Sequence, residues 1–167
     1  EFDYTLSEPN ICVLDFAEFR INSGEWQKAN EVLKIDQQVR DQHKVMRRGG
    51  EMLQPWFVRK NEVKDLCNVD LAFSFTIESM PQKIDLVLEE VENFEVVVNG
   101  VVLNTSKSER WIDIAFKRIE IPANLLQTEQ NEIILKTRYT ENSNLEAIYL
   151  LGDFGVEVHG ITRRLVP

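Results

Sequence analysis

The chain has 167 residues, 43% apolar and 28% charged, enough for one globular domain with a real core. Its 28 Asp and Glu against 19 Lys and Arg leave a net charge of −9. That balance argues against nucleic acid and anionic membrane as partners, since both are polyanions that need clustered Lys and Arg.

In chain order, residues 1–10 read as an inter-domain lead-in, with Ser7-Glu8-Pro9-Asn10 of linker-like composition, and residues 11–167 as one domain. Cys12, Leu14 and Phe16 alternate as on a half-buried strand, and Asn22-Ser23-Gly24 supplies a turn. The period then changes. Ala29, Val32, Leu33, Val39, His43 and Met46 fall at helical spacing and predict a helix over 28–46, closed by Gly49-Gly50. With the loop that follows, this forms an insertion over 28–58.

From Trp56 onward the pattern is almost all strand. Leu71, Phe73, Phe75 and Ile77 alternate, then Ile84, Leu86 and Leu88, then Phe94, Val96 and Val98. Asn99-Gly100 between β-branched runs predicts a type I′ hairpin, whose two central residues both need positive φ. Ile112, Ile114 and Phe116 continue, followed by Ile119 and Ile121, then Ile133 to Tyr139, Glu146 to Leu151 and Phe154 to Val158. About eight or nine short strands with a single helix, and no strand–helix alternation, predict a mainly β fold. The expected architecture is an antiparallel jelly-roll β-sandwich.

No arrangement of residues announces a reaction. Asp153-Phe154-Gly155 spells a kinase metal-binding triplet, but the phosphate loop, strand lysine and catalytic segment it requires are missing, so it reads as a turn. Two carboxylates across a cleft would make a glycosidase. Glu89-Glu90, Glu92 and Glu95, with Glu141 and Glu146, are the acids to test, although most acids here sit on the outward phase of strands. Cys12 and Cys67 are too few for a zinc site or a disulfide framework, and Cys12 reads as a buried free thiol. No cofactor is expected. A structural calcium ion stays open, because loop carboxylates and carbonyls suit a hard cation. Asn104-Thr105-Ser106 matches a glycosylation sequon.

Sugar sites pair an aromatic platform with planar polar groups that hold hydroxyls. Arg110-Trp111 at a loop-to-strand junction, Arg138-Tyr139 beside the polar run 140–144, and Trp56 are the carbohydrate-binding candidates. Each aromatic has a structural alternative as a core or interface anchor.

The run FEVVVNG, WIDIAFKRIEIPANLL and NEIILK, from Phe94 to Lys136, resembles the galactose-binding-like sugar-binding domain of glycoside hydrolase family 2. The flanks EPNICVLDFAEFRINSGEWQ and NLEAIYLLGDFGVEV are similar to the C-terminal part of large bacterial glycosidases, some α-L-rhamnosidase-like. The resemblance implies a non-catalytic accessory domain whose partners are a glycan and the catalytic domain of the same, longer chain. The insertion over 28–58 departs from the simplest module and suggests docking on that catalytic domain as an alternative role. The chain begins Glu1-Phe2 without Met, which agrees with a piece of a longer protein; no leader-like segment is visible, and cytoplasmic and secreted locations both stay open.

Overall fold

Apolar alternation becomes two largely antiparallel sheets in a computed structural model that describes residues 7–47 and 63–167. The described strands are β1 (Asn10–Leu14), β2 (Phe16–Ile21), β3 (Gln27–Glu31), β4 (Asp65–Ile77), β5 (Ile84–Glu89), β6 (Phe94–Val98) and β7 (Val101–Val102). They continue with β8 (Glu109–Trp111), β9 (Asp113–Ile121), β10 (Glu129–Thr140), β11 (Ile148–Gly152), β12 (Gly155–His159) and β13 (Thr162–Val166), and the one described α-helix is α1 (Val32–His43).

The strands outnumber the expected eight or nine because tertiary pairing adds short edge pieces such as β7 and β8, whose two or three residues carry no period of their own. One sheet has five strands in the order β1-β11-β5-β9-β8. The other has eight, in the order β12-β13-β4-β10-β6-β7, with β2 also paired to β4 and β3 to β2. Among the described pairs, β13 on β4 alone runs parallel, through Arg164↔Thr76 and Leu165↔Ile77.

The two sheets share one apolar cluster in a sandwich-like arrangement. Val69, Leu71, Phe73, Phe75 and Ile77 of β4, with Ile133 and Leu135 of β10, join Ile84, Leu86 and Leu88 of β5, and Ile148 and Leu150 of β11. Deleting a fully buried ring such as Phe73 costs about 3–5 kcal/mol, through lost burial and the cavity left behind.

The predicted Asn-Gly hairpin forms. Val98 pairs with Val101, and Asn99 and Gly100 have φ of 46° and 83°. The Asn99 side chain donates to the Leu125 carbonyl (2.7 Å) and Asn131 Oδ1 (2.8 Å), and accepts from the Glu132 N–H (2.9 Å). Buried Asn131 also donates to the Gln127 carbonyl (2.7 Å) and accepts from its N–H (3.0 Å). The Asn of NEIILK is therefore a fully bonded clamp on two turns, with every buried polar need met nearby.

The helix differs from the expectation of 28–46. Residues 27–31 are instead β3, because the turn at Asn22 and Ser23, both at positive φ, folds them back onto β2 (Phe16↔Glu31, Ala17↔Asn30, Phe19↔Gln27). Strand pairing overrides a helical period there. The C-terminus comes at Lys44, in the left-handed region, whose N–H donates to the Asp41 carbonyl. Gly49-Gly50 lies outside the described residues. Val32, Ile35 and Val39 of α1 belong to the shared core, so its apolar stripe is buried within this chain and is not free to dock on a neighbour.

Cys12 and Cys67 are buried, unbonded thiols, and burial pushes the Cys12 thiol up to about 11. Arg163, half of a basic pair, ties β13 to the other sheet: its guanidinium donates to the Val13 carbonyl (3.0 Å) and to Asp15 Oδ1 (2.7 Å). In Asp153-Phe154-Gly155 the first two residues form the turn between β11 and β12, Gly155 opens β12, and Phe154 packs in the core. Gly152 before it is obligatory, since a Cβ would lie 2.6 Å from the Lys83 carbonyl.

Candidate functional site

The sequence-derived candidates do not converge. Trp56 lies outside the described residues. Tyr139 is corrected: it is 0% exposed, its hydroxyl donates to Asp36 Oδ1 (2.5 Å), and the Arg40 guanidinium sits 5.6 Å above its ring. A ring held that way has no face to offer a sugar. Arg138 is exposed and ion-paired to Asp65. It belongs to the centre of the eight-stranded sheet, whereas Arg110 and Trp111 lie at the edge of the five-stranded one. Trp111 is half-buried, edge-on to Phe116 (6.3 Å between centroids, 69°), which is edge-on to Tyr149 (5.7 Å, 88°). Arg110 is exposed and makes no ion pair among the described residues.

Another site comes from the sheet edge. Pairing of β8 with β9 starts at Glu109↔Arg118, while β9 runs on to Ile121, so its last three residues have no β8 partner. The chain reaches that edge from β7 through 103–108, crossing from one sheet to the other. Under this crossover lies a cleft of about 750 Å³, within the range of small-ligand sites. Val102, Leu103, Pro122 and Leu125 provide its apolar surface. Lys83, Asp85, Arg118 and Glu120 form one wall, and Asn104, Lys107 and Glu109 line the crossover side.

The wall is a connected ion network. Arg118 Nε donates to Asp85 Oδ2 (2.8 Å), and a terminal guanidinium nitrogen donates to the same oxygen. Lys83 Nζ lies 3.0 Å from Glu120 Oε2 and 3.5 Å from Asp85 Oδ1. Its hydrogen bond to Glu120 is the main cause that raises the Lys83 pKa. The Asp85 side chain is 3% exposed and that of Glu120 66%, so the network runs from the interior into the cleft. Lys107 and Glu109 are exposed and make no ion pair among the described residues.

The sequence held one signal for this wall. Asp85 is the single charge within the apolar run Ile84 to Leu88, and a buried charge demands a partner. That Arg118 supplies it follows from the register Val87↔Arg118, which no spacing reveals.

The acids singled out for glycoside cleavage fare differently. Glu89, Glu90 and Glu146 line a recess of about 10 Å³, room for roughly one water. The cleft's own acids, Asp85 and Glu120, are not among those candidates; they are cross-strand partners, side by side on one sheet face. Among the described residues no group of three or more His, Cys, Asp or Glu could hold a metal ion, and no helix is long and apolar enough to cross a membrane. Comparison with known proteins finds no family model, no curated protein and no solved structure that matches this chain.

Proposed function

We propose that this chain is a non-catalytic accessory domain, a galactose-binding-like jelly roll that binds glycan beside a glycoside hydrolase domain of a longer protein. The cleft under the 103–108 crossover carries the reading, because it joins an apolar surface with planar polar groups held in fixed positions. Side-by-side carboxylates bound to one shared cation, Lys83, suit hydroxyl recognition better than cleavage, which needs two carboxyls facing each other across the scissile bond. The sugar seat differs from the loop-tip aromatics favoured by the sequence.

A glycan array followed by titration of this chain tests the reading. Weak binding is expected, with Kd on the order of 1 mM, and amide shifts confined to residues 83–85, 102–109 and 118–125. An array without a single bound plant or bacterial glycan would reject it.

A second reading, docking on a neighbouring domain, has its own observation. Ile112 and Ile114 of the β8–β9 hairpin are 79% and 73% exposed beside Trp111, and exposed clusters of this kind mark contact surfaces. If the hairpin docks, I112S/I114S in the longer protein should split its melting into two transitions. A single unshifted transition would leave the glycan reading alone.

A further inference from the structure

Resting on the glycan reading, we propose that the cleft selects uncharged sugars over uronate, sulfated or phosphorylated ones, with Lys107 and Glu109 as the pair that grips the hydroxyls. The lining carries Lys83, Lys107 and Arg118 against Asp85, Glu109 and Glu120, so the cleft has no net charge. Arg118 and Lys83 are already engaged by Asp85 and Glu120, at 2.8–3.5 Å. An anionic ligand would find Lys107 as the one lining cation without a carboxylate partner, with the Glu109 and Glu120 carboxylates lining the same space. The chain's charge of −9 adds long-range repulsion of anions.

A hydroxyl both donates and accepts. It therefore satisfies an ammonium and a carboxylate together without altering the charge of the cleft. Lys107 on the crossover and Glu109 at the start of β8, directly across from Arg118, offer that combination beside a wall whose groups are fixed by their own contacts. Both are exposed and outside the ion network, so replacing them leaves the fold intact.

The test is calorimetric titration of this chain with methyl galactoside and with methyl galacturonoside, which differ at C6 only, at pH 7 and two ionic strengths. The neutral sugar should bind about tenfold more tightly, a difference of about 1.4 kcal/mol, and its affinity should not change with salt. K107M and E109Q should each weaken it about fivefold with an unchanged melting temperature. Equal or tighter binding of the uronoside overturns the selectivity while the glycan reading stands. Unchanged affinity in both variants overturns the assignment of Lys107 and Glu109. If neither sugar binds, and an array of other neutral glycans is also blank, the glycan reading falls and the inference with it.

Discussion

Two regions of this protein use the same pair of side chains to opposite effect. Where α1 closes against β10, Arg40 Nε donates to Asp36 Oδ2 (2.7 Å), and the two side chains are 3% and 7% exposed. The remaining capacity of that pair is filled by the Tyr139 hydroxyl and by the Met46 and Ser143 carbonyls at 2.5–3.1 Å. At the β9 edge, Arg118 binds Asp85 in the same manner, but the arginine side chain is one-third exposed and the network continues through Lys83 into a cleft. A saturated, sealed pair fixes the position of a helix. A pair with one side in solvent keeps hydrogen-bonding capacity for a ligand. The identity of the residues does not distinguish structure from site; the degree of saturation does.

Breaking the sealed pair should have the largest effect. Arg40→Leu leaves Asp36 buried without its cation and frees carbonyls on the 141–143 turn, so urea unfolding should show a loss of about 3–5 kcal/mol. A loss below about 1 kcal/mol would mean the pair at α1 is no more structural than the one in the cleft. High pH probes the sealed side in a second way. Cys12 has a folded pKa of about 11 against an ordinary value of 9.0, so its neutral form is the one favoured by folding. Stability is therefore complete below pH 9 and should fall by about 2–3 kcal/mol as pH rises towards 11. In Cys12→Ala that slope should flatten.

Arg118→Leu sharpens the comparison from the other side. Lys83 still neutralises Asp85, and the guanidinium is partly solvated, so the loss should be smaller, about 1–2 kcal/mol. If the cleft is the glycan seat proposed above, sugar binding, in contrast, should disappear. The smallest effect is expected at the hairpin beside the cleft. Ile112 is β-branched yet held at a φ of 53°, where asparagine is tolerated far better. Ile112→Asn should raise stability by about 0.5–1 kcal/mol, read as a higher melting temperature.

Some of this fold was legible in one dimension because local rules govern it. Alternation along 71–77 and 133–139 reports a half-buried sheet, and Asn99-Gly100 needs positive φ wherever it lies. Cys12, on the apolar phase of its strand, is buried as expected. Ile112 and Ile114 continue the same apolar alternation, and Ile114 does lie in a strand, yet both are exposed. Ile114 falls on the outer phase of β9, at an end with no strand beside it but the short β8, so nothing covers it.

Tertiary structure decided the remainder. Residues 27–31 have a helical period but pair with β2, because a turn at Asn22-Ser23 returns them to a strand that lacks a partner on that side. Tyr139 ends its strand beside a polar loop, as a sugar platform would, yet α1 covers it and Asp36 binds its hydroxyl. The cleft is built from residues 83–85, 102–109 and 118–125, remote in sequence and joined by register and by a crossover between two sheets. Periodicity fixes which face of a strand is apolar. Which strands meet, and so which charges share a space, depends on long-range packing.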